Sequence, residues 1–241
     1  MTHTANDSMS GKILVRPKSV IFLHWFNAIC WFLLTPSGLG IIRGDELRLI
    51  PAGWSEFLQN LVGGNANLVL IHSVLGIVWT AVIVLFTLIY LNSVVLPFLK
   101  KVLSITPKNI WDDVIYMAKA IVGLFTPKQP EQELPPSDRY NGAQRLLGTM
   151  IIACSIAIAV TGLAMFFGPN FGIPPEIFRW SLVLHALCVG VVWIGLVAHI
   201  YFGVIEEPEV MEGMKSGYLE TDFIKHHKTK WYEELKRQGQ I

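Results

Sequence analysis

Four stretches of this chain, residues 20–42, 67–91, 146–167 and 181–205, are apolar and free of Asp, Glu, Lys and Arg. Each is long enough to cross about 30 Å of hydrocarbon as an α-helix. Water is absent at that depth, so a crossing segment has to satisfy its own backbone hydrogen bonds. The sequence therefore predicts an all-α integral membrane protein, a four-transmembrane-helix bundle. With 52% hydrophobic and 15% charged residues among 241, the chain falls outside the soluble globular class. Three regions follow: a tail over 1–19, the four-span domain over 20–205, and a tail over 206–241.

An even number of spans puts both termini on one side, and Lys and Arg decide which. Lys12, Arg16 and Lys18 precede span one. Lys100, Lys101, Lys108, Lys119, Lys128, Arg139 and Arg145 lie between spans two and three, and Lys215, Lys225, Lys228, Lys230, Lys236 and Arg237 follow span four. The two opposite loops hold only Arg43, Arg48 and Arg179. The positive-inside rule then makes the termini and the central segment cytoplasmic. Residues 1–10 are polar and lack the apolar core of a cleavable signal, so span one is expected to be retained. The net charge of +1 is segregated by membrane side and forms no nucleic-acid patch.

Inside the central segment, Trp111, Val114, Ile115, Ala118, Ile121, Val122 and Phe125 recur at helical spacing opposite Asp112, Asp113 and Lys119. This predicts a cytoplasmic amphipathic helix, opened by Thr106 and Pro107, lying on the membrane surface or docking a partner. Pro127, Pro130, Pro135 and Pro136 then predict an irregular connection. Pro36 is expected to kink or locally unwind span one. Cys30, Cys154 and Cys188 all lie in apolar spans without a C-x-x-C pattern, and read as buried small hydrophobes.

Span four carries His185 and His199, 14 residues apart. Fourteen residues is close to four helical turns, so both imidazoles leave one face about 21 Å apart along the axis. An intramembrane histidine is costly and marks function, with its partner to be found. By the topology, His24 and His199 share a level near the cytoplasmic face, and His72 and His185 share one near the outer face. Two imidazoles at each of two levels is what two bis-histidine b-type haems require, since a low-spin haem iron takes one axial ligand on each side. Gly38 follows His24 by 14 residues, and Gly148 and Gly162 are also 14 apart, which would suit clearance for a macrocycle or close helix packing. The rival readings are a proton- or metal-coupled membrane transporter and interhelical hydrogen bonding. His3, His226 and His227 sit in polar tails and are not expected to be ligands.

Further residues carry a resemblance. Leu23-His24-Trp25 and Phe26-Asn27-Ala28 open span one, Ile71-His72 opens span two, and Tyr140-Asn141-Gly142-Ala143-Gln144-Arg145 precedes span three. Thr161-Gly162-Leu163, the His185 and His199 pair, Met211-Glu212-Gly213-Met214, His226-His227 and Trp231-Tyr232-Glu233-Glu234 complete the set. With these the chain resembles the gamma subunit, the di-haem cytochrome b, of respiratory formate dehydrogenases, which is related to the cytochrome b subunits of nickel-iron hydrogenases and thiosulfate reductases. The resemblance implies a bacterial cytoplasmic (inner) membrane protein that takes electrons from an iron-sulfur (beta) subunit and passes them through two haem b groups to a quinone, menaquinone or ubiquinone.

The haem iron ligands it implies are His72 with His185 and His24 with His199. The quinone pocket it implies is Asn141, Ala143, Gln144 and His199. The family usually reads Asn-Ala-Gly-Gln where this chain reads Asn-Gly-Ala-Gln, so a positive φ at residue 143 would be strained. Asn141 and Gln144 also suit helix capping. Arg16, Arg43, Arg48, Arg145 and Arg179 are candidate partners for haem propionates, or simply the positive flanks of spans. No molybdopterin- or cluster-binding cysteine pattern is present. Substrate oxidation is thus assigned to a separate catalytic molybdenum or tungsten (alpha) subunit of a larger oligomeric complex. The cytochrome b of a hydrogenase or thiosulfate reductase is the near alternative.

Overall fold

The computed structural model describes residues 11–42, 50–104, 106–125, 138–239 and 241. His3, Arg43, Arg48 and the prolines of the 126–137 connection lie outside the described residues. In chain order the elements are β1 (Lys12–Leu14), α1 (Lys18–Ile41), α2 (Ala52–Val62), α3 (Asn65–Ile89), α4 (Leu96–Val102), α5 (Pro107–Phe125), α6 (Gly142–Phe167), α7 (Pro175–Tyr201), α8 (Pro208–Ser216), β2 (Tyr218–Glu220), α9 (Thr221–His227) and α10 (Thr229–Arg237). A π-helical turn, Leu91–Val95, precedes α4, and a second, Phe202–Glu206, follows α7.

Four helical segments, Lys18–Ile41, Asn65–Ile89, Gly142–Phe171 and Pro175–Ile205, are long and apolar enough to cross a membrane. They coincide with the four predicted spans and extend them at one or both ends. Few of their side chains are buried, and large apolar ones such as Phe22, Leu88 and Ile194 are exposed, as lipid-facing surface requires. The expected all-α membrane architecture is therefore present. α1 stays helical through Pro36 and is not unwound there. The predicted helix of the central segment forms as α5, and Thr106 Oγ1 caps it by accepting from Asn109 N at 3.1 Å. Ile110, Trp111, Val114 and Val122 stand exposed along it.

The chain divides into two compact units. The first comprises 1–21, 91–152 and 194–241. Its core is a cluster of Val15, Leu219, Phe223, Ile224, Trp231 and Leu235, so the C-terminal tail is a folded element rather than a loose extension. β1 pairs antiparallel with β2, Ile13 opposite Leu219. Gly217, at φ +87, ends α8, and its carbonyl accepts from Val15 N and Arg16 N. A Cβ there would meet Arg16 O at 2.6 Å, which reserves the position for glycine. Arg139 Nη2 donates to Val15 O at 2.6 Å, with the guanidinium 5.1 Å from the centre of the Trp231 ring. Lys101 bridges Asp138 at 3.1 Å and Glu234 at 3.0 Å.

The second unit comprises 22–90 and 153–193. α2 was not expected from the sequence. It packs on α1 where Gly40 has no side chain, since a Cβ there would lie 2.7 Å from Leu58 Cδ1. Asn67 Nδ2 closes its end by donating to Val62 O at 2.8 Å. Two indole N–H groups are partnered within the apolar interior, Trp79 on Asn27 Oδ1 at 2.7 Å and Trp193 on Thr35 Oγ1 at 2.8 Å.

Ile224 is wholly buried at the centre of the first unit's core. Ile224→Ala is expected to cost about 2–5 kcal/mol. Limited proteolysis in detergent should show faster cleavage after residue 206, with the spans still protected.

Candidate functional site

His72, on α3, and His185, on α7, face each other in the second unit with ring centres 6.4 Å apart and planes at 69°. Each imidazole is fixed in the same way. Ser37 Oγ lies 3.0 Å from His72 Nδ1 and is also 2.8 and 3.0 Å from the carbonyls of Leu33 and Leu34. Thr161 Oγ1 lies 3.0 Å from His185 Nδ1 and 2.6 and 3.2 Å from the carbonyls of Ala157 and Ile158. A hydroxyl has one proton, and a carbonyl can only accept. The hydroxyl therefore donates to its helix and accepts from the ring. Both histidines are thus assigned as Nδ1–H tautomers, with the Nε2 lone pair available to a metal.

The residue after each hydroxyl is a glycine, and each glycine faces the same histidine. A Cβ on Gly38 would come within 3.0 Å of His72 Cε1, and one on Gly162 within 3.3 Å of His185 Cε1. At these two positions the glycines give clearance for the imidazoles of His72 and His185. Gly148 does not share it, because a Cβ there would meet Val102 Cγ1 at 3.1 Å. The 14-residue repeat in span three combines one histidine contact and one helix contact.

The donor set fits a b-type haem. Among the described residues no group of three or more His, Cys, Asp and Glu could hold a metal ion. Two imidazoles suffice only where a macrocycle supplies the remaining ligands. Metal–imidazole bonds of about 2 Å, added to the half-widths of two rings, give roughly the observed separation of ring centres.

The other two span histidines belong one to each unit. His24, half-buried on α1 in the second unit, packs edge-on to Trp25 at 5.4 Å. His199, near the end of α7 in the first unit, is exposed. His226 and His227, both exposed, lie on α9, where His227 stacks on Phe223 at 4.4 Å and bonds the Phe223 carbonyl.

Asn141 and Gln144 form a reciprocal cap at the start of α6. Gln144 N donates to Asn141 Oδ1 at 2.9 Å, and Asn141 N donates to Gln144 Oε1 at 3.2 Å. Capping thus accounts for the oxygens of both side chains. Ala143 lies inside the first turn of α6, and no described non-glycine residue has a positive φ, so the alanine at this position is unstrained.

Lys228 Nζ donates to Gln144 Oε1 at 3.4 Å and is almost fully buried. Burial pushes its ammonium below the ordinary lysine range, the Glu207 carboxylate opposes this, and the Arg16 charge reinforces it. Arg16 is itself disfavoured as a cation by burial, and its buried Nη1 has no hydrogen-bond partner. Arg145 donates to Ser104 O, and Arg179 is exposed on α7. Sequence reasoning singled out neither Ser37 nor Lys228, and quoted Thr161 only within a motif. The two hydroxyl–glycine pairs, Ser37-Gly38 and Thr161-Gly162, were the available signal. Lys228 looked like one more tail cation, and only the tail's fold buries it.

The family model described as prokaryotic cytochrome b561 matches residues 15–217, which is most of the chain. A search of curated proteins gives no match.

Lys228 also carries a pH signature. Below its lowered folded-state pKa both states hold the proton and the burial penalty is complete. Between that value and the ordinary 10.5 the unfolded state holds more protons, so stability rises with pH through the window. Lys228→Met is expected to stabilise the chain by on the order of 1 kcal/mol or more at neutral pH. That advantage should shrink as the pH approaches 10.5, which thermal unfolding across alkaline buffers will measure.

Proposed function

The chain belongs to the prokaryotic cytochrome b561 family, and from that premise we propose that this multi-pass membrane b-type cytochrome carries electrons from an iron-sulfur partner subunit through two bis-histidine haems to a quinone, in a complex of the formate dehydrogenase type. The observation that carries the reading is the His72 and His185 pair, opposed at 6.4 Å with each Nδ1 already engaged and each Nε2 left for iron. Haem supplies reversible one-electron chemistry when bound. The protein's own part is to hold two ligand nitrogens in one tautomer at one spacing.

The second haem is assigned to His24 and His199 from their depth in the sequence and from the resemblance to formate dehydrogenase gamma subunits. In the first unit, the unpartnered Arg16 Nη1 is the best-supported donor for a propionate, because a buried guanidinium nitrogen calls for an anion. Quinone is assigned to Asn141, Ala143, Gln144 and His199, with the cap at the start of α6 fixing both amide side chains. The α6 cap holds their oxygens against the backbone, and a carbonyl of a quinone would be met by amide N–H groups. A proton for the reduced quinone could come from Lys228, whose ammonium is already weakened and already touches Gln144. The Lys and Arg distribution supports cytoplasmic termini with α5 along that surface, and the resemblance implies a bacterial inner membrane.

The transporter alternative is tested by spectroscopy. Reduced-minus-oxidised spectra of the purified chain should show b-type haem at two equivalents. His72→Ala should remove one haem and His199→Ala the other, and His199→Ala should abolish quinol formation. Unchanged quinone reduction in His199→Ala would exclude the proposed route. Co-purification of a cluster-bearing subunit and a molybdenum or tungsten subunit would identify the complex.

A further inference from the structure

We infer that Ser37 and Thr161 are positioning residues that set the strength of His72 and His185 as iron ligands by accepting their Nδ1 protons. The inference rests on the assignment of those two histidines to a haem. It is carried by a device that occurs twice on separate helices: a hydroxyl followed by a glycine, Ser37-Gly38 on α1 and Thr161-Gly162 on α6. In each the hydroxyl holds Nδ1 at 3.0 Å and the glycine admits the Cε1 edge of the same ring.

The direction of the effect follows from the polarity of the hydrogen bonds. Both hydroxyl protons are directed at carbonyls one turn back, so each oxygen presents lone pairs to the ring. An imidazole that donates from Nδ1 gains basicity at Nε2 and binds ferric iron more strongly. Ser37 is 8% exposed and Thr161 6%, so water does not readily substitute for either. The two hydroxyls therefore lower the midpoint potential of the haem between His72 and His185. They also hold its ligand rings against rotation.

Two substitutions at Thr161 separate hydrogen bonding from packing. Thr161→Val keeps the shape and removes the hydroxyl, whereas Thr161→Ser keeps the hydroxyl and removes a methyl. Redox titration of the haem-loaded full chain, with electron paramagnetic resonance of the ferric low-spin signals, is expected to show an upward shift of one midpoint potential in Thr161→Val. One of the two signals should change with it, and Thr161→Ser should retain the parent values. Ser37→Ala should raise the same potential. If Thr161→Val loses that haem outright, retention by Thr161→Ser supports the inference and loss in both overturns it. An unchanged potential and signal in Thr161→Val also overturns it, as does a larger effect of Ser than of Val. His72→Ala is the control on the underlying assignment. If it removes one haem while Thr161→Val is silent, the positioning role alone fails; if it removes none, the ligand assignment fails and this inference with it.

Discussion

In a helix crossing hydrocarbon, a serine or threonine has few places to send its hydroxyl proton except the carbonyl one turn back. Ser37, Thr80, Thr149 and Thr161 all do so, at 2.6 to 2.9 Å from the residue four positions earlier. That local bond looks like mere satisfaction of a polar group. It has a second effect, because the donated proton leaves only lone pairs pointing away from the helix. Wherever such an oxygen meets a histidine, it decides which ring nitrogen keeps its proton. At Ser37 and Thr161 this leaves both Nε2 atoms as bases. The chemistry proposed for the chain depends on that choice.

The spans were legible because their cause is local. Apolar runs of membrane length leave a backbone little alternative to helix, so the four segments and their order were readable from composition along the chain. Capping was legible too: Thr106 does start α5, and Asn141 with Gln144 does cap α6. What escaped was decided by contacts distant in sequence. α2 is stabilised by Leu58 packing against Gly40 of α1, and the tail folds because residues near position 15 and position 224 share one core. Lys228 illustrates the difficulty, since a lysine amid other lysines signals solvent until the surrounding structure buries it.

The site was legible at the level of residue type and depth, less so at the level of contacts. Four span histidines stood out because Asp, Glu, Lys and Arg are absent from those segments. Their neighbours did not, because serine, threonine and glycine are ordinary residues in membrane helices with ordinary packing roles. Gly38, Gly148 and Gly162 looked alike in spacing. Two face an imidazole and one faces Val102, a distinction that depends on how each helix is rotated about its axis.

The pairing of β1 with β2 bears on how the protein is made. Thr221 Oγ1 donates to Gly11 O across 210 residues, and Ile13 waits for Leu219 before it has a partner. All four spans are therefore synthesised before the first unit can close its core. During that interval Val15 and the strand edge beside it are open to other chains. Closure of this small sheet is thus a late step in folding. Until residues 218–220 are made, the edge of β1 has no partner strand.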